Sequence, residues 1–326
     1  MPEPAGLSVA LATYNGARYV DEQVESILGQ VPPPAELVIA DDGSTDGTVE
    51  VALAASARHD VIPTVLGSAG TTGVTANFER AIGATSRPLV ALSDQDDRWH
   101  PGRIAMLTAR FDTDESLLLL HTDARLVDAD GAALGRTLFE SLEVGDHEFA
   151  DEESGRAFHA FLRRNLATGA TVVFRRSLLD VAQPFPHEWV HDEWLAVIAA
   201  AVGGVAVVRE ATIDYRQHGA NEIGVAAPTL SRKLSRVLEP RGDRNLDLAT
   251  RFRILADRLA ALGTRVPPQY LAAARAKAAF ESRRAKLPAN RPLRLVPVVR
   301  LALSGDYGRY ASRGRADIIR DLVQPA

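Results

Sequence analysis

The chain opens with two short apolar runs, LSVALATY (7–14) and ELVIA (36–40), each broken off by polar residues. Between them, ARYVDEQVESILGQ (17–30) sets Val20, Val24, Ile27 and Leu28 on one helix face. The theme repeats. Thr48 to Arg58 reads as a helix with Asp46 as N-cap, VIPTVLG (61–67) as a strand, TANFERAIGAT (75–85) as a helix and PLVALS (88–93) as a strand. Pro101 sits where a helix can begin, and SLLLLHTD (116–123) is a fifth apolar run. Such alternation predicts an α/β fold, a mostly parallel sheet with helices on its faces.

From 126 to 228 the pattern loosens. ARLVDADGAAL turns at Asp130-Gly131 and predicts one hairpin strand. GATVVF (169–174) and VAVVREATIDY (205–215) read as strands, and DEWLAVIAAAVG (192–203) as a buried helix. Residues 229–326 are expected to be all helical, punctuated by Pro267-Pro268, Pro288 and Pro292. The predicted division is therefore a body, 1–228, and a helical region, 229–326.

Charge sharpens that division. Residues 229–326 hold 21 Lys+Arg against 8 Asp+Glu, whereas 1–228 hold 16 against 34. A basic tail of this kind is a solvated helical face in the plainer reading. The sharper one is a surface for an anionic membrane or a lipid-linked substrate. Nucleic acid is not expected, because the tail has none of its recognition motifs. With 46% hydrophobic and 24% charged residues the chain is globular, and its lack of Cys excludes a disulfide framework and a Cys zinc site. No basic leader precedes LSVALATY, and the longest uncharged apolar run, Leu195 to Val208, is shorter than the ~20 residues that span a bilayer. The expected location is cytoplasmic.

Two acidic clusters end predicted strands: Asp41-Asp42 after ELVIA, and Asp94-Gln95-Asp96-Asp97 after PLVALS. Open α/β sheets bind ligands outside the C-terminal ends of their strands. Carboxylates there suit Mg2+ or Mn2+. The plainer reading of either cluster is a solvated turn that caps a helix. DGSTDG (42–47) mimics the start of a calcium loop, but the twelfth position is Leu53 rather than Glu. GSAGTTG (67–73) fits no phosphate-loop fingerprint, although backbone N–H contacts to a phosphate fit its composition.

His187-Glu188-Trp189-Val190-His191 spells the HExxH of a zinc protease. Pro186 leaves room for only one turn there, and no third ligand is singled out. Asp192 is the better candidate. It sits near the start of an apolar helix, where it is either a general base on a hydroxyl or a plain helix cap. Trp194 either stacks on a sugar or fills the core. Arg216 and His218 follow a predicted strand. Arg216 suits a diphosphate, and His218 is either an extra cation ligand or solvent-facing.

ATYNG (12–16), VIADDGSTDGT (39–48), TANFERA (75–81), LSDQDDRW (92–99), TGAT (168–171), HDEWL (191–195) and YRQHGAN (215–221) follow one another in an order that resembles the family-2 glycosyltransferases, which have the GT-A fold. DQDDRW, HDEWL and YRQHGAN look most like the rhamnosyltransferase-like branch. The resemblance implies a metal-dependent, inverting transfer from a nucleotide-sugar donor, dTDP- or UDP-linked, with L-rhamnose from dTDP-rhamnose as the best guess. The acceptor would be a hydroxyl of a glycan or lipid-linked substrate in cell-surface polysaccharide synthesis. It assigns Ala12, Tyr14, Asn15, Asp41, Asp42, Asn77, Asp94 and Arg216 to the nucleotide sugar, and Asp94, Asp96 and His218 to the metal, Mg2+ or Mn2+. It makes Asp192 the catalytic base and assigns Gly169, His191 and Trp194 to the acceptor. Gln95 to Trp99 also spells the QxxRW of processive synthases, but it overlaps the DxD element and precedes Asp192, so transfer of one or a few sugars is expected. The alternatives are a non-catalytic nucleotide-sugar-binding module and a nucleotidyltransferase on a related sheet.

Overall fold

The computed structural model describes residues 5–68, 70, 73–219 and 240–325. Its packing divides into two compact units. One comprises Met1–Phe149, Leu166–Ala199 and Gly203–Ala226, the other Ala150–Asn165, Ala200–Val202 and Ala227–Ala326. Residues 150–165 thus belong with the C-terminal helices rather than with the body expected at 1–228. The expected boundary at 228 lies outside the described residues.

In the first unit, β1 (Ala5–Thr13) is flanked by β2 (Pro34–Asp41) and β4 (Leu89–Asp94), both parallel to it. β1 is apolar on both faces because both are covered, and Val9, Ala10 and Leu11 are fully buried. β3 (Thr64–Leu66) extends the parallel ladder beyond β2. Helices α1 (Val20–Leu28), α2 (Thr48–Ala57) and α3 (Val74–Gly83) make the crossovers, and α1 buries the predicted Val20, Val24, Ile27 and Leu28.

Beyond β4 the sheet turns mixed. β8 (Val173–Arg175) is antiparallel to both β4 and β6 (Leu117–Val127), while β9 (Gly204–Arg216) runs parallel to β6. β5 (Arg98–Trp99) pairs with β9, and β7 (Ala133–Thr137) closes the hairpin whose turn holds Gly131 at φ 85°. α4 (Arg103–Thr113) leads into β6. The architecture is the expected α/β sheet flanked by helices.

Two predicted strands are shorter than read. VIPTVLG keeps only Thr64–Leu66, and Ile62 points into solvent. In GATVVF, Gly169–Thr171 forms a 3-10 turn instead, which presents the Gly169 N–H to Asp192.

The second unit is helical, with Arg244–Leu262, Pro268–Ala285, Arg291–Leu303, Asp306–Tyr310 and Ala316–Val323 among its elements. Phe280, Leu287, Val298, Leu301, Tyr307 and Ala311 form its apolar core. No helix among the described residues is long and apolar enough to cross a membrane.

Candidate active site

Parallel pairing brings three strand ends to one edge. Ala12 lies opposite Asp94, and Thr13 opposite Asp41. The chain goes from β1 to β2 and β3 on one side, then returns to β4 on the other. That reversal opens a crevice above β1. A cleft of about 420 Å³ lies there, lined by Ala12, Tyr14, Asp42, Asn77, Asp94 and Asp96 on one side of the sequence and by Gly169, His191, Asp192 and Tyr215 on the other. Residues predicted for donor, metal, base and acceptor therefore share one space.

Three of the cleft carboxylates, Asp42, Asp96 and Asp192, have distinct anchorages. Asp42 accepts the Gly73 N–H at 2.9 Å, and Gly73 and Val74 line the cleft; residues 69, 71 and 72 of the Gly-rich stretch lie outside the described residues. Asp96 Oδ2 lies 2.8 Å from His218 Nε2, and the imidazole stacks on Tyr19 with ring centroids 4.9 Å apart. Burial pushes the Asp96 carboxyl up, while His218 pulls it back. Asp192 lies in the first turn of the helix His191–Val202, and its Oδ2 accepts the Gly169 N–H at 2.8 Å. A Cβ at Gly169 would stand 3.1 Å from His191 Nε2 and 3.5 Å from Asp192 Oδ2, so glycine lets the loop approach both.

The chain also matches the protein family described as Glycosyl transferase family 2 over residues 8–181, more than half its length. It belongs to glycosyl transferase family 2. An uncharacterized glycosyltransferase of Nostoc sp. is 27% identical over 233 residues, covering 70% of this chain and 69% of that protein. For an uncharacterized Mycobacterium bovis protein, 28% identical over 232 residues, the match covers 63% of its length. Among solved structures, S. aureus TarS 1–349 in complex with UDP-GlcNAc superposes with a TM-score of 0.59 at 17% identity, over 97% of this chain and 89% of that one. A mannosyltransferase from Pyrobaculum calidifontis, in complex with GDP-Man and Mn2+, gives 0.55 at 18% identity, over 99% and 88%. These neighbours share the GT-A fold.

In this glycosyltransferase several predicted site residues do not face the cleft. Trp194 is corrected: it is fully buried and donates its indole N–H to the Ala182 carbonyl at 2.7 Å. Two residues along a helix turn a side chain about 200°, so Trp194 points away from Asp192. Asp41 is absorbed by its own turn, accepting from the Thr13 hydroxyl at 2.8 Å and the Ser44 N–H at 2.8 Å. Asn15, at φ 46°, accepts the Thr45 N–H at 2.9 Å. Arg216 is 4% exposed, and its guanidinium donates to the Asp96 and Ala129 carbonyls and to Glu22 Oε2 at 2.7 Å. Its geometry is that of a brace behind Asp96 rather than a cation facing a diphosphate. Asn77 lines the cleft and ties β2 to the site by donating to the Ala40 carbonyl at 2.8 Å.

HEWVH is no zinc helix. His187 is exposed in a turn, 3.3 Å from Glu188, and the helix begins only at His191. The His191 ring is buried against Phe78, with centroids 4.1 Å apart, and burial lowers its pKa to about 3, so it is neutral.

Two residues were missed. Gln95, given no site role from the sequence, accepts the Tyr14 N–H at 2.8 Å and donates to the Tyr14 carbonyl at 2.9 Å. A Cβ at Gly16 would fall 2.1 Å from Gln95 Oε1, which explains the glycine in ATYNG. Tyr215 begins YRQHGAN and lines the cleft. Burial, then Asp94, Asp97, Asp96 and Asp192, raise its phenol well above its ordinary value, so it remains a proton donor among carboxylates.

The donor set fits Mg2+ or Mn2+. As they stand, no three His, Asp or Glu side chains among the described residues are grouped to hold an ion. One or two carboxylates are what such ions ordinarily take from a protein, with the rest of the shell drawn from water and substrate phosphates. Asp96 and His218, an oxygen and a nitrogen 2.8 Å apart, offer that partial shell beside Asp94.

Proposed function

We propose that this glycosyltransferase moves one sugar, with inversion, from a nucleoside diphosphate donor to a hydroxyl of a glycan or lipid-linked acceptor in cell-surface polysaccharide synthesis. The observation that carries the reading is that Asp94, Asp96 and Asp192 line the same cleft. Asp192 takes the proton of the acceptor hydroxyl as its oxygen forms the bond to C1. The bond from C1 to the diphosphate oxygen breaks on the opposite face, and its electron pair leaves with the diphosphate. Asp96 and His218, with Asp94 lining the same cleft, would hold a divalent cation, which would supply counter-charge for that leaving group. Ala12, Tyr14, Asp42 and Asn77 bind the nucleotide side, and Gly169 and neutral His191 face the acceptor.

Support for the donor class comes from the nucleotide sugars in the complexes of TarS and the mannosyltransferase. L-rhamnose from dTDP-rhamnose is the favoured sugar because DQDDRW, HDEWL and YRQHGAN resemble the rhamnosyltransferase-like branch. A screen of dTDP-, UDP- and GDP-sugars, read by thermal shift with Mn2+ and by donor turnover, tests the assignment. A dTDP-sugar is expected to shift the melting point most. Binding without transfer to any acceptor would convert the reading to a non-catalytic sugar-nucleotide module.

A further inference from the structure

The helical unit carries an unusual surface. Ala316–Val323 buries Asp317 and Asp321, whereas Ile319 is 62% exposed and Val323 39%. Its polar side faces inward because Arg284 waits there, donating to both Asp321 oxygens at 2.7 and 2.9 Å, while the Tyr307 hydroxyl donates to Oδ2 at 2.6 Å. Arg291–Leu303 is apolar apart from Arg291, Arg294 and Arg300. It buries Val298 and Leu301 and still exposes Leu293, Leu295, Val296, Val299 and Leu303, the last 84% exposed. More than half of the exposed large apolar side chains among the described residues lie on these two helices.

The charges of the same segment are sorted just as sharply. Between residues 286 and 325, Lys286, Arg291, Arg300, Arg309, Arg313 and Arg315 are exposed. The acids there, Asp306, Asp317 and Asp321, are not exposed, and each faces an arginine: Asp306 meets Arg283 at 3.2 Å, the other two Arg284. Arg294 is buried and caps the carbonyls of Pro288, Ala289 and Gln324. What remains outside within 286–325 is a set of exposed apolar side chains together with charged side chains that are all cationic.

We propose that the outer faces of Arg291–Leu303 and Ala316–Val323 form a docking surface for an anionic lipid bilayer, with Arg291–Leu303 lying in the membrane plane. An apolar stripe flanked by arginine is the composition of an interfacial helix: the stripe enters the acyl boundary and the cations meet lipid phosphates. A second copy docking through this face would set arginines against arginines about a two-fold axis. The test of this surface needs neither donor nor acceptor.

The test is co-sedimentation of the full chain with phosphatidylcholine vesicles, with and without phosphatidylglycerol. Binding only to the anionic vesicles is expected, and high salt, which shortens the Debye length to about 3 Å at 1 M, should release it. Leu303→Glu and Val296→Glu should each weaken binding by about tenfold or more, and Arg300→Gln by about fivefold. Both kinds of variant should keep the parental melting curve, since the altered side chains are exposed. The proposal is overturned by failure to bind, by equal binding to neutral vesicles, or by a concentration-dependent dimer that Leu303→Glu dissolves.

Discussion

Both units bury acids, and they treat them in opposite ways. In the helical unit, Glu281 is 1% exposed. Burial alone would raise its pKa, but Lys277 at 2.6 Å and Arg284 at 3.2 Å bring it below the ordinary value. At the cleft, burial raises Asp96, and it raises Asp97 just behind, which Asp96 and Asp94 push further. Arg216 lowers both in part, but its guanidinium hydrogen bonds go to Glu22 and two carbonyls rather than to either carboxylate, and burial prevails. The helical network is complete within the chain. Around the cleft burial outweighs the partners that the chain supplies, and under the proposed function a bound cation would relieve that imbalance. Equal burial therefore carries opposite meanings, and the partners decide which.

The largest effect expected is on chemistry. Asp192→Asn keeps the shape of the Gly169 contact and removes the proton acceptor, so transfer should fall by about 10²–10⁴-fold. Donor affinity, read by calorimetry, and the melting point should both stay near parental values. Turnover near wild type would remove Asp192 from its role.

Next is the opposite experiment in the helical unit. Arg284→Met takes the cation from buried Asp321, leaving it the Tyr307 hydroxyl, and leaves Glu281 to Lys277 and Asn245; losing one partner of a buried pair costs about 3–5 kcal/mol. Urea unfolding should show that loss. A stability unchanged by Arg284→Met would mean that the network is not the closed system described above.

What the sequence made legible follows the same line. Acids that end apolar runs were readable, since β2 and β4 announce themselves and Asp42, Asp94 and Asp96 stand just past or at their last residues. The register that brings Ala12 beside Asp94 follows from parallel pairing of adjacent strands. Partners far apart in sequence were not readable. Glu22 occupies Arg216 across 194 positions, and Gln95 clamps Tyr14 across 81. The short helices after β7 were missed although Leu138–Ser141 carries a legible capping box, Thr137 with Glu140. The placement of 150–165 with the C-terminal helices depends on packing that no local pattern encodes.

Trp194 offers a smaller and cleaner contrast with Asp192, its neighbour on the same helix. Trp194→Phe removes the indole donor and leaves the Ala182 carbonyl unpaired, a cost of about 1–3 kcal/mol. The melting point should drop while acceptor KM stays unchanged per folded enzyme. A large rise in acceptor KM at unaltered stability would restore the stacking role.

The smallest effect lies where the two regimes meet on one strand. Along β9, Asp214 and Tyr215 project to opposite sides, as successive strand residues do. Tyr215 lines the cleft, whereas Asp214 is paired on the far side with His100 at 2.7 Å and Arg125 at 2.7 Å. Burial works to raise Asp214, but the hydrogen bonds from His100 and Arg125 bring it down from 3.8 to about 2. Because its folded pKa is depressed, its contribution is fully present above pH 3.8 and is lost as pH falls towards 2. Arg125 is half-exposed, so solvent screening limits Arg125→Met to about 1 kcal/mol or less at neutral pH. Urea unfolding across a pH series should show the variant and the parent converging as pH drops from 4 to about 2, and a gap that widened on acidification would show that Asp214 is not held by this pair.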